Sequence, residues 1–136
     1  MTGSILIYYM YKVSQVEFEE LINKSLASLP KKYVSRLNNV AIITADEPTD
    51  LQKSKLHLHN GQTLFGLYEG IPLTKRGSNY NLVLPDIITI FKTPIEQRAN
   101  TAEELYSSVR YTLWHEIAHF FGLNHEQIYK LDGRLN

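Results

Sequence analysis

The chain has 136 residues, a length that suits one domain and is too short for two. Its 43% hydrophobic and 21% charged residues are typical of a globular protein and argue against disorder. Fourteen basic and fourteen acidic residues cancel, so the net charge argues against a polyanionic partner. We therefore expect a single domain over residues 1–136 that binds neither nucleic acid nor a membrane surface.

The absence of cysteine excludes disulfides and thiolate metal ligands, so a metal site would have to use imidazole and carboxylate groups. The apolar stretch 4–11, SILIYYMY, has no basic residue before it and predicts a buried strand rather than a signal peptide. No stretch approaches the roughly 18 apolar residues that a membrane helix needs. We expect a cytoplasmic protein.

The first predicted helix begins at a capping box, in which Ser14 is followed three residues later by Glu17. Apolar residues then recur with helical period until Pro30 ends the helix. The next apolar run predicts a strand of about six residues centred on Ile42 and Ile43.

The middle of the chain is harder to assign. Residues 49–62 are polar and favour neither helix nor strand, whereas 63–74 predict an extended segment in which Gly66 and Gly70 mark a bulge or turn. Residues 87–93, IITIFKT, predict a strand because β-branched and aromatic residues fill it and prolines flank it.

A long helix is predicted over residues 102–121. Thr101 and Glu104 form a second capping-box pattern at its start, and Gly122 stands where a left-handed residue would end it. Residues 125–131 predict a last short helix. This order of elements predicts an α+β domain with helices packed on a small mixed sheet.

Three of the five histidines lie within eleven positions near the end of this helix. His115 and His119 are four residues apart, so their side chains project from one line on the helix and can share a zinc ion. Glu116 lies roughly 100° around the helix from His115, where it can reach a water on the open side of the metal.

His125 follows Gly122 by three residues, and a glycine bend could return it to the metal as a third ligand. Three protein ligands leave one position for water, which is the arrangement of a catalytic rather than a structural zinc site. The pattern H-E-x-x-H-x-x-G-x-x-H would arise by chance in roughly 2 of 100,000 chains of this composition. We therefore predict one Zn²⁺ per chain.

The segment 115–125, HEIAHFFGLNH, resembles the extended zinc motif of the metzincin metallopeptidases. Together with LYEGIPLTKR (67–76), LPDIITIFKTPIE (84–96) and the sequence around the histidines, it is similar to a family of small bacterial zincin-like proteins with a minimal metalloprotease fold. The resemblance covers about half of the chain, residues 64–131. It implies a cytoplasmic α+β domain with an active-site helix and one zinc.

Carried over residue by residue, the resemblance makes His115, His119 and His125 the zinc ligands and Glu116 the general base. The chain departs from the families in two ways. Many members of the small family have aspartate where His125 stands, and metzincins have a methionine turn after the third histidine, whereas the methionines of this chain are Met1 and Met10.

The sequence favours a zinc-dependent peptidase that acts on a peptide or protein through a zinc-activated water. Two other functions stay open. One is a binding or interaction protein that keeps zinc for folding alone, and the other is a metal-dependent endoribonuclease, because one RNA-processing family shares the histidine spacing. The presence of Glu116 argues against both, and the neutral net charge argues against the ribonuclease.

Two extended segments, 64–69 and 87–91, are candidate edge strands along which a substrate backbone could pair. Tyr68 and Tyr111 could contact the oxyanion, although packing is the more common role for tyrosine.

Three further residues have both a functional and a structural interpretation. His57 and His59 could form a second metal site, and Glu69 could orient a ligand histidine. For all three we favour an ordinary surface role.

Overall fold

The computed structural model describes residues 11–56, 64–78, 80, 84–124, 126–128 and 130–131. The principal helices in this part of the chain are α1 (Gln15–Ser28), α2 (Lys31–Val34), α3 (Asp50–Lys55), α4 (Lys92–Arg98) and α5 (Ala102–Phe120). The strands are β1 (Val40–Ala45), β2 (Gly66–Glu69) and β3 (Asp86–Phe91), and a 3-10 turn spans Leu73–Lys75. The apolar stretch 4–11 lies almost entirely outside the described residues, as do His57, His59 and His125.

The three strands form one mixed sheet in the order β1-β3-β2. Strand β1 is parallel to β3, with Ile42 opposite Ile88, and β2 is antiparallel to β3, with Leu67 opposite Thr89. Helices pack against this small sheet, which confirms the predicted α+β fold.

Strand β3 lies in the middle of the sheet and is its most buried strand. Ile88, Ile90 and Phe91 are completely buried there, as a β-branched and aromatic run between two neighbours should be. Helix α5 supplies the opposite wall of the core. Its buried apolar residues are Leu105, Val109, Leu113, Trp114, Ile117, Ala118 and Phe120.

Helix α1 begins as predicted. The Ser14 hydroxyl accepts a hydrogen bond from the Glu17 N–H at 3.1 Å, and the Glu17 carboxylate accepts one from the Ser14 N–H at 2.9 Å. Phe18 and Ile22 lie on the buried face of this helix, and α1 packs against α5. Both halves of the capping box are therefore present.

Three helices were not predicted from the sequence, the shortest being α2. Helix α3 lies in the polar stretch 49–62 and begins at Thr49, whose hydroxyl and N–H pair with the backbone and side chain of Gln52. Helix α4 begins directly after β3, where a strand extending to residue 93 was predicted. Pro94 does not end the element there; it occupies the first turn of a helix, where its missing N–H costs no hydrogen bond.

Within the described residues, no helix is long and apolar enough to cross a membrane. Of the predicted last helix, the described residues 126–128 and 130–131 are helical. Ile128 in this segment is completely buried.

Candidate metal centre

The two histidines of the HExxH segment lie near the end of α5. Thr101 caps this helix by accepting a hydrogen bond from the Glu104 N–H at 3.1 Å, and its hydroxyl also contacts the Glu104 carboxylate at 3.4 Å. The buried residues of α5, which include Trp114, face the core. His115 and His119 lie beside these residues on the helix surface and are half-buried. Both imidazoles are therefore fixed to a rigid helix.

The spacing of the His115 and His119 imidazole rings is compatible with one shared zinc ion. Their centroids are 4.8 Å apart, and their planes are at 81° to one another. Two imidazoles bound to one tetrahedral zinc at 2.0–2.1 Å would have centroids about 5 Å apart. The observed distance between the centroids is close to that value.

Helix α5 ends in a Schellman motif. Gly122 has a φ of 79°, its N–H donates to the His119 carbonyl at 2.9 Å, and the Leu123 N–H donates to the Ala118 carbonyl at 3.1 Å. This confirms the predicted left-handed stop. A Cβ at Gly122 would also collide with the Thr74 hydroxyl of the 3-10 turn.

The third predicted ligand, His125, lies outside the described residues. Within the described ranges, no three His, Cys, Asp or Glu side chains form a group that could hold a metal ion. The pair His115 and His119 is brought together, and the complete ligand set stays a prediction.

Glu116 lies between the two histidines in sequence but faces the sheet. Its side chain is buried, with 7% of the residue exposed, and its carboxylate accepts a hydrogen bond from the Tyr68 backbone N–H. Burial raises the pKa of Glu116 to about 7, and the hydrogen bond from Tyr68 opposes part of that rise.

The pairing of β2 with β3 shows on which side of β2 this carboxylate lies. The Phe91 N–H donates to the Phe65 carbonyl at 2.9 Å, which makes this a hydrogen-bonded pair in the antiparallel ladder. Such pairs alternate along the ladder, so the backbone groups of Gly66 and Tyr68 point away from β3. Glu116 therefore lies at the edge of β2 that has no partner strand among the described residues.

Gly66 allows β2 to approach α5 this closely. A Cβ at this position would lie 2.6 Å from Cγ2 of Thr112 and 3.1 Å from Cγ of Glu116. Only a residue without a side chain fits between the strand and the helix here. The glycine predicted to mark a bulge or turn is instead the contact point between β2 and α5.

A buried charged cluster, unpredicted from the sequence, lies beside this contact. Arg76 forms an ion pair with Asp86 at 2.7 Å, and the exposed side-chain fractions are only 6% and 5%. The Tyr68 hydroxyl donates to the same Asp86 oxygen at 2.6 Å. Burial raises the pKa of Tyr68, and the hydrogen bond to Asp86 and the charge of Asp86 raise it further. This phenol is therefore held by Asp86, in agreement with a packing role rather than an oxyanion contact.

The same arginine connects three parts of the fold. Its Nε donates to the Ile71 carbonyl and one terminal nitrogen donates to the Asn38 carbonyl, both at 2.9 Å. The guanidinium also lies 5.0 Å from the centroid of the Phe120 ring. Arg76 thus ties the loop after β2 to the sheet and to the end of α5.

The other candidate residues lie as follows. Tyr111 is 48% exposed one turn before His115, with ring centroids 6.0 Å apart, so it borders the site. Glu69 accepts a hydrogen bond from Gln52 at 3.3 Å. The candidate edge 87–91 was wrong, because β3 is the central strand of the sheet; the candidate edge 64–69 contains β2, which is an edge strand in the described part of the chain.

Similarity to known proteins agrees with this fold. A conserved hypothetical protein from Thermo thermophilus has a similar structure, with a TM-score of 0.54 and 17% identity over 89% of this chain and 99% of that chain. No curated protein matches the chain. The sequence profile of the zincin-like metallopeptidases matches residues 37–135. Because this match covers well over half of the chain, the protein belongs to the zincin-like metallopeptidase family.

Proposed function

We propose that this protein is a zinc-dependent peptidase. The observation that carries the proposal is the position of Glu116 between two metal-compatible histidines and the open edge of a strand. A purely structural zinc site has no need of a carboxylate beside the metal. Family membership supports the same function.

His115, His119 and His125 would hold the metal. Three neutral imidazoles are a common ligand set for catalytic zinc, and this chain has no thiolate that could replace them. When bound, zinc supplies Lewis acidity, which lowers the pKa of water toward about 7 and polarises a carbonyl group.

Glu116 would act as general base and then as general acid. Its carboxylate would take a proton from the attacking water and give it to the nitrogen of the leaving amine. The hydrogen bond from the Tyr68 N–H fixes the direction of the carboxylate.

The substrate backbone would lie along β2. The N–H and carbonyl of Gly66 point to the open edge and can pair with an extended peptide, which would join the sheet as an added strand. Glu116 lies at the same edge, so this pairing would bring a peptide bond to the catalytic carboxylate.

The experiment measures zinc content and hydrolysis of a mixed peptide library for the wild type and for Glu116→Gln. We expect both proteins to bind zinc, and we expect the variant to lose at least 100-fold in hydrolysis because the proton acceptor is gone. Glu103→Gln, an exposed position on the same helix, is the matched control and should keep full activity.

Equal hydrolysis by the wild type and Glu116→Gln would contradict the proposed role of Glu116. Zinc binding by the wild type without any hydrolysis would contradict the peptidase and would favour a binding protein that keeps zinc for folding.

A further inference from the structure

Two cavities beside Glu116 join into one groove along α5. The first, of about 250 Å³, is lined by Phe65, Gly66, Tyr111 and Thr112 together with His115 and Glu116. The second, also of about 250 Å³, shares Phe65, Tyr111 and Thr112 with the first and continues to Ser107, Ser108 and Arg98. Both open to solvent, so the groove runs from the catalytic carboxylate toward the end of α4.

The two ends of this groove differ in chemistry. The aromatic rings of Phe65 and Tyr111 line both cavities, and the end at Glu116 adds Leu64. At the far end, the guanidinium of Arg98 lies 4.9 Å from the centroid of the Phe65 ring. Arg98 is exposed, and no carboxylate among the described residues lies within ion-pair distance of it. The groove thus has aromatic walls along its length and a guanidinium at the end away from Glu116.

The length of the groove limits the spacing between a cleaved bond and a group at Arg98, which lines the same cavity as Ser108. From Ser108 to Glu116 the helix rises about 12 Å, at about 1.5 Å per residue. An extended peptide covers that distance in about three to four residues.

The direction of the bound peptide follows from β2. Antiparallel pairing is the slightly more stable arrangement per residue. A peptide antiparallel to β2 would run from Tyr68 toward Phe65, so the part that follows the cleaved bond would extend toward Arg98.

We infer that this groove selects peptides with an apolar residue directly after the cleaved bond and an acidic side chain at about the third position after it, paired with Arg98. The acidic group is the occupant that this end of the groove fits, because the stacked guanidinium offers a fixed positive charge and planar donors. The inference rests on the proposed peptidase function for the meaning of the cleaved bond, but the charge recognition can be measured without cleavage.

The binding test uses the zinc-loaded Glu116→Gln variant and labelled decapeptides that are blocked at both ends. The peptides are identical except for Glu, Gln or Lys placed two positions after a single leucine, and affinity is measured by fluorescence anisotropy. We expect the Glu peptide to bind about threefold more tightly than the Gln peptide, the size expected for an exposed charge pair, and the preference to weaken at 0.5 M salt.

Adding Arg98→Glu should reverse the order, so that the Lys peptide binds more tightly than the Glu peptide. Adding Arg36→Glu should leave the order unchanged, because Arg36 is an exposed arginine that lines neither cavity. Circular dichroism and zinc content confirm that each protein is folded. A fourth peptide, which ends at the tested position with a free carboxylate, distinguishes a side chain from a chain terminus.

Equal affinities for the Glu, Gln and Lys peptides, no detectable binding of any of them, or an order that Arg98→Glu does not change would overturn the inference. The inference would also be overturned if only the peptide that ends in a free carboxylate bound more tightly than the Gln peptide. Hydrolysis by the wild type is scored separately. Charge-selective binding without hydrolysis would contradict the peptidase proposal and support the inferred role of Arg98. Hydrolysis without a charge preference would support the peptidase proposal and contradict the role of Arg98.

Discussion

The candidate site has a metal side at the end of α5 and a second side at β2, and the contacts that hold them differ in how far apart the contacting residues are in sequence. On the metal side, the turn that ends α5 is closed by hydrogen bonds between residues three to five apart, as in the Schellman motif at Gly122. On the β2 side, contacts between distant parts of the chain position the strand: Gly66 contacts Thr112, Tyr68 contacts Asp86, and Arg76 contacts Asn38. The histidines are a local property of one helix, whereas the environment of Glu116 is a property of the whole fold.

This difference separates the two roles proposed for the motif, which are zinc binding and hydrolysis. Binding of zinc should depend on α5 and the turn after it. Hydrolysis should depend in addition on the distant contacts that hold β2 beside Glu116. Substitutions on the two sides should therefore have different signatures, and the three predictions below use zinc affinity, hydrolysis and stability to tell them apart.

The largest effect on stability is expected for Asp86→Asn. The change leaves the Arg76 charge buried without its counter-ion, and breaking a buried pair in this way costs about 3 kcal/mol. Chemical denaturation of the metal-free protein measures the loss. The control Asp46→Asn changes an exposed carboxylate and should stay within about 0.5 kcal/mol; equal losses in the two variants would show that the buried cluster does not support the fold.

The next effect is expected for Gly66→Ala, which forces a methyl group into Thr112 and Glu116 at the strand–helix contact. Overpacking of this kind costs about 1–3 kcal/mol. We expect zinc affinity to be kept and hydrolysis to fall about tenfold or more, because β2 and the Glu116 carboxylate move apart. Adding Thr112→Ser removes the nearest methyl and should restore part of the activity. A variant that loses zinc and hydrolysis together would contradict the separation of the two sides.

The smallest effect on stability is expected for Gly122→Ala, at about 1–2 kcal/mol for the left-handed conformation, with the contact to Thr74 adding to it. Here zinc affinity should fall, because the turn leads to the third predicted ligand, His125. Gly77→Ala is the matched control, since a Cβ there meets nothing within 4 Å. Unchanged zinc affinity in Gly122→Ala would argue against a role of the turn in metal binding.

The range of contacts also explains which parts of the architecture could be predicted from the sequence. The caps of α1 and α5 and the stop at Gly122 depend on residues a few positions apart, and each was predictable. Helix α3 could have been found by the same rule, because Thr49 and Gln52 form a capping-box pattern. Helix α4 was missed because Pro94 indicates the end of a strand as readily as the first turn of a helix.

The candidate site was predictable to the same extent. The spacing of His115, Glu116 and His119 places them on one helix, which requires only helical geometry. The contact of Gly66 with α5 and the cluster of Arg76 with Asp86 arise from the order of strands in the sheet, which no local pattern specifies. A lone aspartate at the start of an apolar strand was the available signal for the cluster, but the sequence does not show which residue pairs with it.

The zinc content of purified variants tests the central claim most directly. After dialysis against zinc and removal of the excess, elemental analysis should give about one zinc per chain for the wild type and for Glu116→Gln. His115→Ala, His119→Ala and His125→Ala should each bind much less. Full zinc content in the histidine variants, or its loss in Glu116→Gln alone, would contradict a site built from three imidazoles with a catalytic carboxylate beside it.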